Sequence, residues 1–302
     1  MRESLKTVIE NAIILECHLP CGVSGLGRSC LSTQDDKCYR NDDSVTLSRI
    51  IYNGIVEYAV NQYKINYDEL EAEQMRTIAR RIRYNAAVSQ TEKLRYGFYG
   101  EILLDLILRC YIKTNVLLAR GYFYSPLENS EPKGFDAFHI LEHNGKLNLW
   151  FGEAKFYIDY KQAIKSVVDK IHISLSDSYV GRNIVALIEN RDKFTTSNSK
   201  LNDLLSAWED NPNINIVGEM NARNMSLTYP VFIAYEQTDM TNYHNNIKGC
   251  IDYIKELVDK AAIEIPATFD YRISFVFLPV NEVTKVKERV IEWIEAKEPL
   301  MP

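Results

Sequence analysis

The sequence predicts an α/β layered protein preceded by a helical N-terminal part. Three observations lead there. Apolar residues recur at helical spacing through much of residues 45–113. Two short alternating runs then flank Asn144-Gly145, the dipeptide that favours a two-residue hairpin turn. Beyond the hairpin, runs rich in β-branched and aromatic residues alternate with helical patterns, which argues for helices layered on a sheet.

Taken in order, Val8–Leu15 reads as a strand, followed by a polar, Cys-bearing loop to Asp43. Ser44 is placed to cap a helix from Val45 to Lys64, with Leu47, Ile50, Ile51, Ile55 and Tyr58 on one side. A second helix is expected from Tyr67 to Asn85. Along it Arg76, Arg80 and Arg83 share one face, a stripe suited to phosphate or to an acidic partner. A third is expected from Thr91 to Lys113 and carries Glu101. The segment Val116–Tyr124 reads as a strand, and the hairpin runs from Ala137 to Glu142 and from Lys146 to Phe151. Asp159 caps a helix to Leu175 that bears Lys161, Gln162, Lys165 and His172. Strands are then expected at Asn183–Ile188, Asn213–Gly218, Thr228–Glu236 and Tyr271–Pro279. Helices are expected at Asn198–Trp208, Tyr243–Ala262 and Asn281–Lys297. A soft boundary near residue 88 divides an N-terminal region (1–87) from an α/β domain (88–302).

The hairpin carries the chemistry. A two-residue turn pairs His143 with Lys146, Ile140 with Leu149 and Phe138 with Phe151, and the next pair is Asp136 with Glu153. Two carboxylates directly opposite each other destabilise a sheet unless one is protonated or a cation joins them. Oxygen ligands in that setting suit Mg²⁺ or Mn²⁺. Strand alternation puts Lys155 on the face of Glu153. A metal, two carboxylates and a lysine make a compact site for phosphodiester hydrolysis, with the lysine orienting or helping to deprotonate the attacking water. Glu101, on the preceding helix, is a candidate further metal ligand. Gln162 is a candidate to point back at the scissile phosphate, with Lys161 and Lys165 within reach of a bound backbone. His139 and His143 fall on the opposite face.

Composition narrows the field. The net charge is −6 with a pI near 5.5, so any nucleic-acid contact must use a local basic patch, a metal or a partner. The N-terminus lacks the apolar core of a signal peptide, and no stretch approaches the roughly 18–20 apolar residues that span a bilayer. A cytoplasmic location with reduced thiols is the expectation. Cys17, Cys21, Cys30 and Cys38 are spaced more widely than the usual structural zinc pairs, so scattered thiols are favoured over a zinc site. There is no phosphate-binding G-x-x-x-x-G-K-[ST] loop, no G-x-S-x-G elbow and no H-E-x-x-H helix.

Glu101 on a helix, Asp136 opening a strand, Glu153-Ala154-Lys155 on the next and a helix beyond resemble the PD-(D/E)xK nuclease superfamily. Asp136 follows Gly-Phe where that motif has Pro. The resemblance implies a restriction-endonuclease-like mixed sheet flanked by helices. It also implies Mg²⁺-dependent cleavage of DNA, less often RNA, with Asp136, Glu153 and Lys155 at the catalytic positions. Glu101 and Gln162 match more loosely. KGFDAFHI followed by LNLWFGEAKFY is also similar to the HamA family. That resemblance implies the nuclease effector of the Hachiman anti-phage system, restrained in a complex with the helicase HamB. Two other readings stay open: a catalytically silent subunit docking a partner through the arginine stripe and the C-terminal helix, and the same fold acting on RNA.

Overall fold

The structure is a computed structural model that describes residues 1–18, 37–61, 64–120, 134–143, 145–190, 199–209, 211 and 214–301. Its centre is a 7-stranded mixed sheet built from β1 (Ile14–His18), β2 (Lys37–Arg40), β3 (Asn115–Val116), β4 (Ala137–His143), β5 (Lys146–Tyr157), β6 (Ser226–Glu236) and β7 (Asp270–Val280). The spatial order is β1-β2-β7-β6-β5-β4-β3. The four central strands β2, β7, β6 and β5 run parallel, while β1, β4 and β3 are antiparallel to their neighbours. β6 and β7 are buried along almost their whole length, as parallel strands covered on both faces must be.

Each face of the sheet has its own core. Against one face pack α1 (Glu3–Ala12), α2 (Ser44–Ala59), α5 (Phe98–Ile107) and α12 (Val283–Ala296), through Leu5, Ile51, Ile102, Leu106, Val286 and Val290. α5 is buried on all sides, the mark of a helix enclosed by protein rather than lying at a surface. It comes so close to β5 that a Cβ on Gly100 would stand 3.3 Å from that of Phe156. Against the other face pack α6 (Tyr160–Val168), α8 (Asp177–Glu189), α10 (Ile216–Ala222) and α11 (Tyr243–Ala261). A large side chain such as Ile164 of α6, fully buried, contributes about 1.5–3 kcal/mol on leaving water. Along β5 the alternation is clean: Leu149 and Phe151 join the α6 core, whereas Trp150, Ala154 and Phe156 join the α5 core.

Several expected elements change. The predicted strand Val8–Leu15 is instead the end of α1 followed by β1, because Leu5, Ile9 and Ile13 recur every four residues and are all buried. α2 ends at Ala59, and its cap is Asp43, whose carboxylate accepts the Val45 N–H at 2.8 Å. The helix expected over Tyr67–Asn85 is a 3₁₀ turn (Tyr67–Glu69) and α3 (Leu70–Arg80). Arg83 lies beyond it with a left-handed φ of 54°, so the stripe of Arg76, Arg80 and Arg83 is broken. Arg76 is paired with Glu73 and Glu69. The single helix Thr91–Lys113 divides into α4 (Gln90–Lys93), α5 and a π-helical turn, Leu108–Ile112. The helix after the hairpin divides into α6 and α7 (Ile171–Ser174), with Asp159 capping α6 as expected.

Asn183–Ile188, expected as a strand, belongs to α8; of the expected strand Asn213–Gly218, Asn213 lies outside the described residues, and Ile216, Val217 and Gly218 open α10. In α8 the buried residues Val180, Ile184, Leu187 and Ile188 follow helical spacing. The expected strand Val116–Tyr124 shrinks to β3, and residues 121–133 lie outside the described residues. β6, β7, α9 (Ser199–Glu209), α11 and α12 stand close to where the sequence places them. Elements from both sides of residue 88 build the sheet, and α2 packs directly on α5 and α12. Cys21 and Cys30 lie outside the described residues; Cys17 and Cys38 stand opposite each other in β1 and β2.

Candidate active site at the end of the hairpin

The hairpin has the expected register from His143–Lys146 through Ile140–Leu149 to Ala137–Gly152, with Gly145 left-handed in the turn (φ 73°). One pair further the expectation fails. The Asp136 N–H bonds to the Gly152 carbonyl at 2.7 Å rather than to Glu153, so the ladder slips by one residue. Asp136 Oδ2 then accepts the Ala154 N–H at 2.9 Å. The two carboxylates are near neighbours across an irregular strand end, not a regular cross-strand pair. Such irregularities re-aim side chains where a ladder stops.

β5 is also irregular on its other edge. Its parallel pairing with β6 lapses between Trp150–Thr228 and Glu153–Val231. The missing stretch lies opposite Pro230, which has no N–H to donate. A Cβ on Gly152 would stand 2.8 Å from Pro230 Cγ and 2.9 Å from Leu104 Cδ2, so only glycine fits there. Phe135 anchors Asp136 from the other side. Its ring lies 5.4 Å from Phe151, 5.2 Å from Tyr179 and 5.8 Å from Tyr229, each pair adding about 0.5–1.5 kcal/mol beyond area burial.

Charges at this point are unbalanced. Burial, and then the charge of Asp136, push the Glu153 carboxyl above the ordinary carboxylate range, although Lys155 pulls the other way. Lys155 is ion-paired with Glu153. Its burial alone would lower its pKa, but Glu153 and Asp136 outweigh that and hold it above 10.5. Lys155 is therefore an ammonium at neutral pH.

A cleft of about 890 Å³ opens beside this cluster; Glu101, Asp136, Lys155, Gln162, Arg95 and Lys287 are among its lining residues, and Glu153 is not. Gln162 sits exposed on α6 at its rim. Glu101 is in the first turn of α5, and Gly97 makes room for its carboxylate, since a Cβ there would lie 2.6 Å from Oε1. Tyr58 O–H donates to Glu101, and Arg120 Nε stands 3.9 Å from it. Lys161 and Lys165 are not among the lining residues: Lys161 lies over the Tyr253 ring and Lys165 pairs with Asp169 at 2.6 Å. The arginines of α3 do not line the cleft either.

Mg²⁺ suits Asp136 and Glu153 on donor chemistry. They are two carboxylates set close together, and burial with its neighbour's charge raises the pKa of Glu153, a repulsion that a cation relieves. Glu101 shares the cleft but is turned to Tyr58 and Arg120. Among the described residues no group of three or more His, Cys, Asp or Glu side chains stands ready to hold a metal. Substrate phosphate and water would have to complete any coordination shell, as they commonly do for Mg²⁺.

Tyr58, Arg95, Arg120 and Lys287 escape a reading of the sequence. Tyr58 looks there like one more member of an apolar stripe. Lys287 lies 131 residues from Phe156, yet its Nζ donates to the Phe156 carbonyl at 2.8 Å and to that of Leu94 at 3.1 Å.

On the opposite face of the sheet lies a second polar group. His139 Nε2 is 2.9 Å from Asp105 Oδ1, and its Nδ1 is 2.8 Å from Thr114 Oγ1. Arg109 Nε is 2.9 Å from Asp105 Oδ2. His139 thus falls opposite Asp136, as strand parity requires.

The HamA family model matches residues 15–294, nearly the whole chain. No curated protein and no solved structure matches it. No described helix is long and apolar enough to cross a membrane.

Proposed function

The chain belongs to the HamA family, and we propose that it acts there as a metal-dependent nuclease that cuts DNA phosphodiester bonds alongside the helicase HamB. Family membership supports a role in Hachiman anti-phage defence. The observation that carries the catalytic reading is the meeting of Asp136, Glu153 and Lys155 at the open end of the β4–β5 hairpin, with Glu153 held above its ordinary pKa.

Asp136 and Glu153 would hold Mg²⁺, which when bound polarises a phosphoryl oxygen and acidifies its water. Asp136 is fixed for this by the Ala154 N–H and by the ring of Phe135. Lys155, being protonated, donates hydrogen bonds and positive charge to the phosphate or to the attacking hydroxide. Its ion pair with Glu153 keeps that positive charge beside the carboxylates, which fits an electrostatic task. Gln162 supplies an amide at the rim that orients the strand or the water. Glu101, held by Tyr58, places further negative charge in the same cleft.

The test is plasmid degradation in Mg²⁺ by the full chain, alone and with the helicase. Glu153→Ala and Lys155→Ala should each abolish it. If both retain wild-type degradation, the mechanism is wrong. Parallel reactions on RNA separate the same fold acting on that substrate.

A further inference from the structure

We propose that Lys287 of α12 is a phosphate-binding residue of the cleft, gripping the nucleic-acid strand next to the bond that is cut. The inference rests on the nuclease reading of the same cleft. Its starting point is a cation without a counter-charge. Lys287 is mostly buried, its Nζ lies 5.2 Å from the Phe156 ring and 5.4 Å from the Tyr99 ring, and two backbone carbonyls accept its hydrogen bonds. Among the described residues no carboxylate pairs with it. A buried ammonium is costly unless an anion compensates it. In keeping with that, burial alone brings its pKa down to about 8.

Donor counting points the same way. An ammonium has three N–H groups. Leu94 and Phe156 take two of them, which leaves one for a ligand in the cleft that Lys287 lines. Phe156 directly follows Lys155, so the tether to its carbonyl sets the ammonium one peptide away from the candidate catalytic lysine. Thr284 lies one helical turn before Lys287 on α12, and Arg95 stands on the loop leading to α5; both line the cleft too. These groups give the cleft basic and hydroxyl-bearing side chains beside its acidic residues Glu101 and Asp136. A phosphodiester strand, with one phosphate at the carboxylates and the next at Lys287, matches that division.

The experiment measures binding of a short fluorescent single-stranded DNA to the full chain, with Ca²⁺ replacing Mg²⁺ to hold back cleavage. In Lys287→Met, affinity should fall about tenfold, the worth of one charge-assisted hydrogen bond. The slope of log affinity against log salt should shrink by about 0.7, the share of one phosphate contact on a single strand. A merely structural role would not move the slope. Should Lys287→Met fail to fold, acetylation of Lys287 in the wild type replaces it: saturating DNA should protect the amine from the reagent. An unchanged slope in the folded variant, or unprotected Lys287 at saturation, overturns the proposal while leaving Mg²⁺-dependent cleavage by the wild type, and hence the nuclease reading, intact. Failure of the wild type to bind the strand at all overturns both.

Discussion

Two polar clusters lie back to back on the sheet, and they are opposites. On the α5 face, Asp105, Arg109, His139 and Thr114 form a closed group. Burial alone would raise the Asp105 pKa, but Arg109 and His139 overcome this and hold it below 3.8. Burial, together with the nearby Arg109, lowers the His139 pKa below 6.5, so the ring is neutral, donating from Nε2 to Asp105 and accepting the Thr114 hydroxyl at Nδ1. On the α6 face, Asp136, Glu153 and Lys155 carry two negative charges against one positive. The net strain falls on Glu153. Titratable residues in a buried setting are therefore no sign of function by themselves. An unbalanced group beside a cleft is the informative one.

The largest effect that tests this contrast is on turnover. Glu153→Gln should lower Mg²⁺-dependent cleavage by about a hundredfold or more, with thermal unfolding close to wild type. Asp105→Asn should do the reverse. Leaving the buried Arg109 uncompensated should cost about 3–5 kcal/mol in urea unfolding, while cleavage per folded molecule stays near wild type. A loss of cleavage as deep as that of Glu153→Gln, at full stability, would break the distinction.

Acid separates the clusters more gently, by about 1.4 kcal/mol for each unit of pKa shift. The folded His139 refuses a proton that its unfolded counterpart accepts below about 6.5, so this group loses stability as pH falls from there towards the folded pKa. Asp105 acts in the same direction at lower pH: its contribution is present above 3.8 and is lost as pH falls through its depressed folded value. Glu153 has the opposite sign. Its folded carboxyl holds a proton above 4.5, so stability is lost as pH rises through that window. His139→Gln should accordingly remove the slope of stability below pH 6.5, as read from urea midpoints across pH. The smallest effect belongs to the exposed pair Lys165–Asp169. Lys165→Ala should leave the melting temperature and the rate of cleavage unchanged, since the residue lies outside the cleft.

The hairpin was legible because local rules agree there: Asn-Gly turns the chain and alternation sets the faces. β6, β7 and α12 were legible for the same reason. Asn183–Ile188 misled because a short apolar run fits a strand and a buried helix alike, and the helical phase shows only once Val180 is included. Within the site, Asp136, Glu153 and Lys155 could be read because they lie close together in the chain. The slip at Asp136 could not, since it depends on Pro230 and Leu104 crowding Gly152. The partners of Glu101 and the tether of Lys287 join residues far apart in the chain, and no local pattern announces them.

Gly152 has one more consequence. Both ladders of β5 falter beside it, through Pro230 on one edge and the slipped Asp136 bond on the other. The pairing of β5 is thus least regular around Gly152. Tilting the Glu153–Lys155 segment there meets fewer ladder bonds than tilting between Asn148 and Trp150, where both edges are paired, so the catalytic end can pivot as a hinged tip while the sheet stays whole. Carboxylates that repel one another while the site stands idle gain the freedom to close around a cation, and amide exchange at Glu153 should outpace that at Trp150 on the same strand.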